Sequence, residues 1–173
     1  GNGFGNGVIG TPANVGHKNT NEGDDPGDDY GAGTASVNIY GGTINQVFGG
    51  SNAHGVIRVS SSIDIDKSKV SGSGCDMRIA EVYRGGNEAP GKLASLTIGS
   101  TGTLTGDHST DPEFIGKTLE GIGDLYGGSR KANNTGYTAL NITSGIINRV
   151  FGGNNIGGNV TGNIAGTIKK TGR

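Results

Sequence analysis

Four aspartates crowd one short stretch, Asp24-Asp25-Pro26-Gly27-Asp28-Asp29. Several carboxylates on a flexible loop are the ligands Ca²⁺ prefers. The spacing is not that of an EF-hand, and the Gly-Gly-x-Gly-x-Asp nonapeptide of calcium β-rolls is absent. A solvated, turn-rich acidic loop is the favoured reading. No cofactor is expected, with Ca²⁺ at Asp24, Asp25, Asp28 and Asp29 the one candidate. His108 stands among Asp107, Asp111 and Glu113, but a single His in a polar stretch is a weak metal signal. His17 and His54 have no partner at a ligand spacing. Asp64 and Asp66 alternate on one predicted strand, which sets them roughly 6.6–7 Å apart by strand rise. That distance suits a carboxylate pair across a glycosidic bond, although alternating outward Asp is ordinary on an exposed strand. With no Trp, a sugar-stacking platform is thin. Asn133-Asn134-Thr135, Asn141-Ile142-Thr143 and Asn159-Val160-Thr161 match the glycosylation sequon, at a density that chance explains. Cys75 is the only cysteine, so no intrachain disulfide forms, and it reads as a buried or incidental thiol. No residue set here compels an enzyme.

The elements that carry these residues are set by a phrase that occurs four times. It reads Ile44-Asn45-Gln46-Val47-Phe48-Gly49-Gly50-Ser51-Asn52 and returns as Ile147-Asn148-Arg149-Val150-Phe151-Gly152-Gly153-Asn154-Asn155. Looser copies hold Val82, Tyr83, Gly85 and Asn87, with Arg84 before the glycines, and Leu125, Tyr126, Gly127 and Gly128, with Arg130 in the Asn position. The two aliphatics lie three apart, whereas a regular strand repeats every two. A corner or bulge is therefore predicted at Asn45-Gln46, Ala80-Glu81, Gly123-Asp124 and Asn148-Arg149. The glycines then allow a tight turn. A repeat at irregular intervals is the signature of stacked units with loop insertions.

Composition narrows the choice. Of 173 residues 37 are glycine, about three times ordinary usage. Only 31% are hydrophobic, too few for a conventional globule of this size. The apolar residues are β-branched and periodic, which argues against disorder, and no Gly-x-y triplet supports collagen. The fold predicted is all-β, a right-handed parallel β-helix with irregular loop insertions, forming a single segment over 1–173. An antiparallel sandwich of hairpins is the runner-up. The net charge of −1 gives no case for nucleic acid, and no run of about 18 apolar residues marks a membrane span.

Clean alternation starts at Val37 and Ile39, and a long alternating stretch is predicted through Ile57, Val59, Ile63 and Ile65. Residues 87–91 and 131–136 read as loops, and 99–118 as the largest insertion. Stacking would align Phe48, Tyr83, Tyr126 and Phe151 in an internal aromatic column. It would also set Asn52, Asn87 and Asn155 in an amide ladder that Arg130 breaks. Phe4-Gly5-Asn6 reads as the tail of a further copy, and 159–168 as mid-pattern. The chain is therefore expected to belong to a longer repetitive protein and to stack end to end with further coils or with copies of itself.

The paired phrases N-I-Y-G-G-T-I-N-Q-V-F-G-G-S-N and N-I-T-S-G-I-I-N-R-V-F-G-G-N-N, with Asn159-Val160-Thr161-Gly162-Asn163 as a linking phrase, are similar to repeats in large glycine-rich, adhesin-like surface proteins of gut Bacteroidetes. The resemblance covers about two-thirds of the chain. It implies an exported protein at the bacterial cell surface, structural or adhesive, with host or bacterial glycans or proteins as partners. A carbohydrate-active β-helix enzyme, lyase or hydrolase, and a non-catalytic glycan-binding module are the alternatives.

Overall fold

A computed structural model describes residues 14–15, 35–54, 56–57, 61–71, 75–104, 107, 110, 114–136 and 138–168. The acidic loop Asp24–Asp29 and the residues His108, Asp111 and Glu113 lie outside the described residues. In chain order the strands are β1 Asn14–Val15, β2 Ala35–Ile39, β3 Gly42–Phe48, β4 Val56–Ile57, β5 Ser61–Ile65, β6 Met77–Tyr83 and β7 Gly91–Lys92. They continue as β8 Ser95–Ile98, β9 Gly121–Tyr126, β10 Asn134–Thr135, β11 Thr138–Ile142, β12 Ile147–Phe151, β13 Val160–Thr161 and β14 Ile164–Ile168.

The molecule is all-β and its sheets are parallel. Five strands form the first sheet, in the order β14-β11-β8-β5-β2, and four form the second, β12-β9-β6-β3. The short strands β13-β10-β7 form a third sheet and β1-β4 a separate two-stranded one. Neighbours in each sheet are three apart in chain order. Among the described residues successive strands do not pair with each other, and every strand pairing is parallel. This excludes the hairpin sandwich, whose neighbours would pair antiparallel.

Register explains why so few apolar residues suffice. Ile39, Ile65, Ile98, Ile142 and Ile168 stand opposite one another through the first sheet. Val47, Val82, Leu125 and Val150 do so through the second. Like packs on like along each sheet, and the middle strands are closed off completely: Ile65, Ile79, Val82, Ile98, Ile122 and Leu125 are all fully buried. Burial on that scale is worth about 1.5–3 kcal/mol per side chain.

The expected irregularity is present. In the second sheet the register passes from Ile44↔Ile79 to Gln46↔Glu81, and likewise in each later strand, leaving Asn45, Ala80, Gly123 and Asn148 unpaired in the ladder. It bends one continuous strand and does not separate two. Other expectations need correction. The alternating stretch from Ile57 to Ile65 is divided between β4 and β5, which belong to different sheets; a period of two sets which residues share a face but not where one strand ends and the next begins. The loop predicted at 131–136 contains β10, with Asn134 almost wholly buried. Cys75 is exposed, so of the two readings only the incidental thiol is left.

Candidate functional site

The outer face of the second sheet gathers the polar and aromatic side chains. Strand alternation requires this. Val47, Val82, Leu125 and Val150 take the inward positions, so the residue after each projects the other way, beside the residue before each. One column is Gln46, Glu81, Asp124 and Arg149; the next is Phe48, Tyr83, Tyr126 and Phe151.

The rings stack as expected, with centroids 4.9, 4.7 and 4.9 Å apart and planes within 9°, 5° and 10° of parallel. That separation is the spacing of hydrogen-bonded strands. The column is not internal, however. The aliphatic core contains none of the four rings, and the Tyr83 hydroxyl donates to Glu81 Oε2 on the outer face at 2.9 Å. The rings bury each other: Tyr83 is inaccessible to solvent, while the terminal Phe151 is 39% exposed.

The polar column is closed on itself. Gln46 Nε2 donates to Glu81 Oε2 at 2.6 Å. Arg149 donates from Nε and Nη2 to the two oxygens of Asp124, each at 2.7 Å, a charge-assisted fork. The Tyr126 hydroxyl reaches Asp124 Oδ2 at 3.4 Å, and the Arg149 guanidinium lies 5.9 Å from the Phe151 ring centroid. Burial pushes the Tyr83 phenol up to about 12, and its bond to Glu81 adds to this while the amide of Asn155 opposes it. Burial also raises Tyr126, aided by the nearby charge of Asp124. The hydrogen bond to Asp124 holds Arg149 above the usual guanidinium value.

Where the ladder is interrupted, a cleft of about 650 Å³ opens. Asn45, Ala80, Gly123 and Asn148 line it, together with Glu81, Asp124, Arg149, Ile115 and Lys117. The segment carrying Ile115 and Lys117 belongs to the insertion predicted at 99–118, and it packs on the sheet. Gly116 adopts φ +79°, and a Cβ there would lie 2.3 Å from the Ile79 carbonyl oxygen. A Cβ on Gly123 would lie 2.6 Å from the Ala80 carbonyl oxygen. Only glycine permits the segment to lie this close. Each carboxylate has about four acceptor positions, so both keep capacity for hydroxyl donors entering the cleft.

The remaining sequence candidates are structural in their contacts. Asp64 is engaged by Lys69. Asp66 accepts from Ser68 N and Oγ at 3.0 and 2.6 Å and from Ser100 N at 3.2 Å, capping a 3-10 turn at Lys67–Lys69. Burial acts to raise the Asp66 carboxyl, but these bonds outweigh it and hold it below the ordinary value. Lys69 pairs with Asp64 and its charge also bears on Asp66, so both carboxylates are engaged by the turn that follows them. Among the described residues no group of three or more His, Cys, Asp or Glu is placed to hold a metal.

The amide ladder is shorter than expected. Asn87 Nδ2 donates to Asn52 Oδ1 at 2.8 Å. Arg130 continues the line, donating to Asn87 Oδ1 at 3.4 Å, whereas Asn155 turns to the Tyr83 hydroxyl at 2.8 Å. Sequence reasoning missed a second, buried network. Ser129 Oγ donates to Asn134 Oδ1 at 2.6 Å, and Asn134 Nδ2 to Asn154 Oδ1 at 2.9 Å.

It also missed Arg84. Gly50 N bonds to Gly85 O, and Gly85 N to Gly128 O. Gly85 therefore aligns with Gly50, Gly128 and Gly153, and Arg84 occupies the column of Gly49, Gly127 and Gly152. Arg84 is fully buried. Its Nε donates to Ala94 O at 2.9 Å, while Nη1 and Nη2 have no partner. Burial lowers its pKa to about 10. The signal was in the phrase itself, an arginine where the other copies have glycine. A scan against protein-family models, a search of curated proteins and a search of solved structures each found no match.

Proposed function

We propose that this chain is a right-handed parallel β-helix that serves as a structural and adhesive segment of an exported bacterial surface protein. The observation that carries the reading is the register. Strands three apart in the chain pair in parallel while Phe48, Tyr83, Tyr126 and Phe151 stack in one line. A chain that visits three sheets and returns one level higher is a coil, and parallel crossovers are right-handed in about 98% of cases. Such a coil is a stiff spacer with repeating outer faces. The surface assignment rests on the resemblance of the repeat phrases. The cleft beside Glu81 and Asp124 favours non-catalytic glycan binding as the adhesive activity. Asp124 and Arg149 pair there, Glu81 accepts from Gln46 and Tyr83, and Glu81, Asp124, Arg149 and Lys117 balance in charge, which suits neutral, hydroxyl-rich ligands better than ions.

The test has two readouts. Labelled protein is applied to a glycan array, and the same protein is incubated with neutral and acidic polysaccharides while new reducing ends and unsaturated uronates are followed. Binding that Asn148→Ala weakens, without chain cleavage, is expected. Release of oligosaccharides would replace this reading with the lyase or hydrolase one. Antibody labelling of intact cells of the source organism tests the location, and labelling only after lysis would overturn it.

A further inference from the structure

Arg84 has the largest fully buried side chain among the described residues. Its position is fixed at both ends. The Arg84 amide donates to Tyr126 O at 3.2 Å, its carbonyl accepts from Ala94 N at 2.8 Å, and its Nε donates to Ala94 O at 2.9 Å. The side chain is thus held against Ala94, the residue just before β8. Two nitrogens remain. Nη1 and Nη2 have no partner in the protein, and each exposes less than 1 Å². In a guanidinium these two nitrogens aim one N–H each in parallel, the fork that takes an anion.

The chain supplies no counter-charge. No ion pair among the described residues includes Arg84. Burial is the sole cause of its lowered pKa, and at about 10 the group is still charged at neutral pH. Buried charges in proteins are paired, because an unpaired one is costly. Ser61 brings a third donor. It lies on the inward side of β5 with Ile63 and Ile65, and its Oγ is likewise buried with no partner. Ser61 and Ala94 immediately precede the paired Ser62 and Ser95, so the hydroxyl belongs to the corner where Ala94 holds Arg84. Buried polar atoms left without a partner call for an ion or a water.

We propose that Arg84 Nη1 and Nη2, with Ser61 Oγ, hold one buried monovalent anion of the halide class, such as chloride. The charge of the corner sets the valence: one guanidinium neutralises one negative charge, and a second would be left unpaired in the interior. Burial sets the size. Sulfate, phosphate and carboxylates bring several oxygens and ask for more donors than these three atoms provide, whereas a single-atom ion is satisfied by them. Gly49, Gly127 and Gly152 stand in the place of Arg84 in the other phrases, so of the four only the second carries the site.

The full chain is melted at a series of chloride concentrations, with sodium gluconate holding the ionic strength constant. Crystals grown in bromide are measured at the bromine absorption edge. The melting temperature should rise with chloride by about 5 °C at saturation, and an anomalous peak should lie within hydrogen-bond reach of both Nη atoms. Arg84→Met should lose the peak and the chloride dependence, and in gluconate alone it should melt above the parent chain. Ser61→Ala should keep the peak and need about two- to tenfold more chloride for half the effect. Water alone at the fork, or a chloride response that either variant leaves unchanged, overturns the site. If Arg84→Met does not fold, the bromide peak and the Ser61→Ala titration decide between the same outcomes.

Discussion

Tyr83 and Arg84 are neighbours in sequence with opposite consequences for the fold. The Tyr83 hydroxyl ties Glu81 to Asn155 between two flanking rings. Its folded pKa is raised to about 12 against an ordinary value of about 10. The phenol is thus kept neutral longer in the fold than in the unfolded chain. Its contribution is complete below about pH 10 and is lost as pH rises towards about 12. Tyr83→Phe should cost about 1 kcal/mol at neutral pH and flatten the fall in stability over that alkaline window, as measured by urea melts at a series of pH values. An unaltered alkaline slope would mean that another group carries it. Arg84 is the reverse case. Two of its guanidinium nitrogens are buried with no partner, and an unsatisfied buried polar group costs about 1–3 kcal/mol. Arg84→Met keeps the stem and removes the charge, so in gluconate without chloride it should raise the urea midpoint. A loss of stability there would show that the guanidinium has a partner within the protein.

At the level of elements, the sequence was legible wherever one residue type repeats at one register position. Val47, Val82, Leu125 and Val150 fix the second sheet because each lies on its own kind. The kink between the two aliphatics of each phrase was readable for the same reason. Which side the rings occupy was not, because a bulge in the strand changes which of two neighbours faces the core, and the phrase alone does not locate the extra residue. The short strands β7 and β10 were also invisible, being two residues each, too short for any period, and read as loops. The cleft was hidden because Lys117 and Ile115 lie in a polar insertion far from Glu81 in sequence. Its placement depends on Gly116, whose positive φ and lack of a Cβ let the segment touch the sheet. Gly116→Ala should therefore cost more than about 1 kcal/mol and weaken whatever ligand the cleft holds. Gly91→Ala, in open space, should be neutral. Equal effects would detach the cleft from its glycine.

If the chain coils as proposed, its stability is not shared evenly: each level would contact only those above and below, so the free energy would be close to a sum of intrinsic and nearest-neighbour terms. The burial pattern already has that gradient. Met77, Ile79, Val82, Ile98, Ile122 and Leu125, in β6, β8 and β9, are closed off from solvent, whereas Val150, Phe151 and Ile168, in β12 and β14, are 42%, 39% and 69% exposed. Amide hydrogen exchange in dilute solution should follow it: slowest in β6, β8 and β9, faster in β12, fastest in β14, with the last level opening locally and not through global unfolding. Ile79→Ala should cost about 2–5 kcal/mol and speed exchange in β3, β6 and β9 together. Phe151→Ala, half in water at the end of the ring column, should cost less and leave protection in β6 unchanged. Equal protection throughout, lost together in both variants, would describe one indivisible cooperative unit and not a stack.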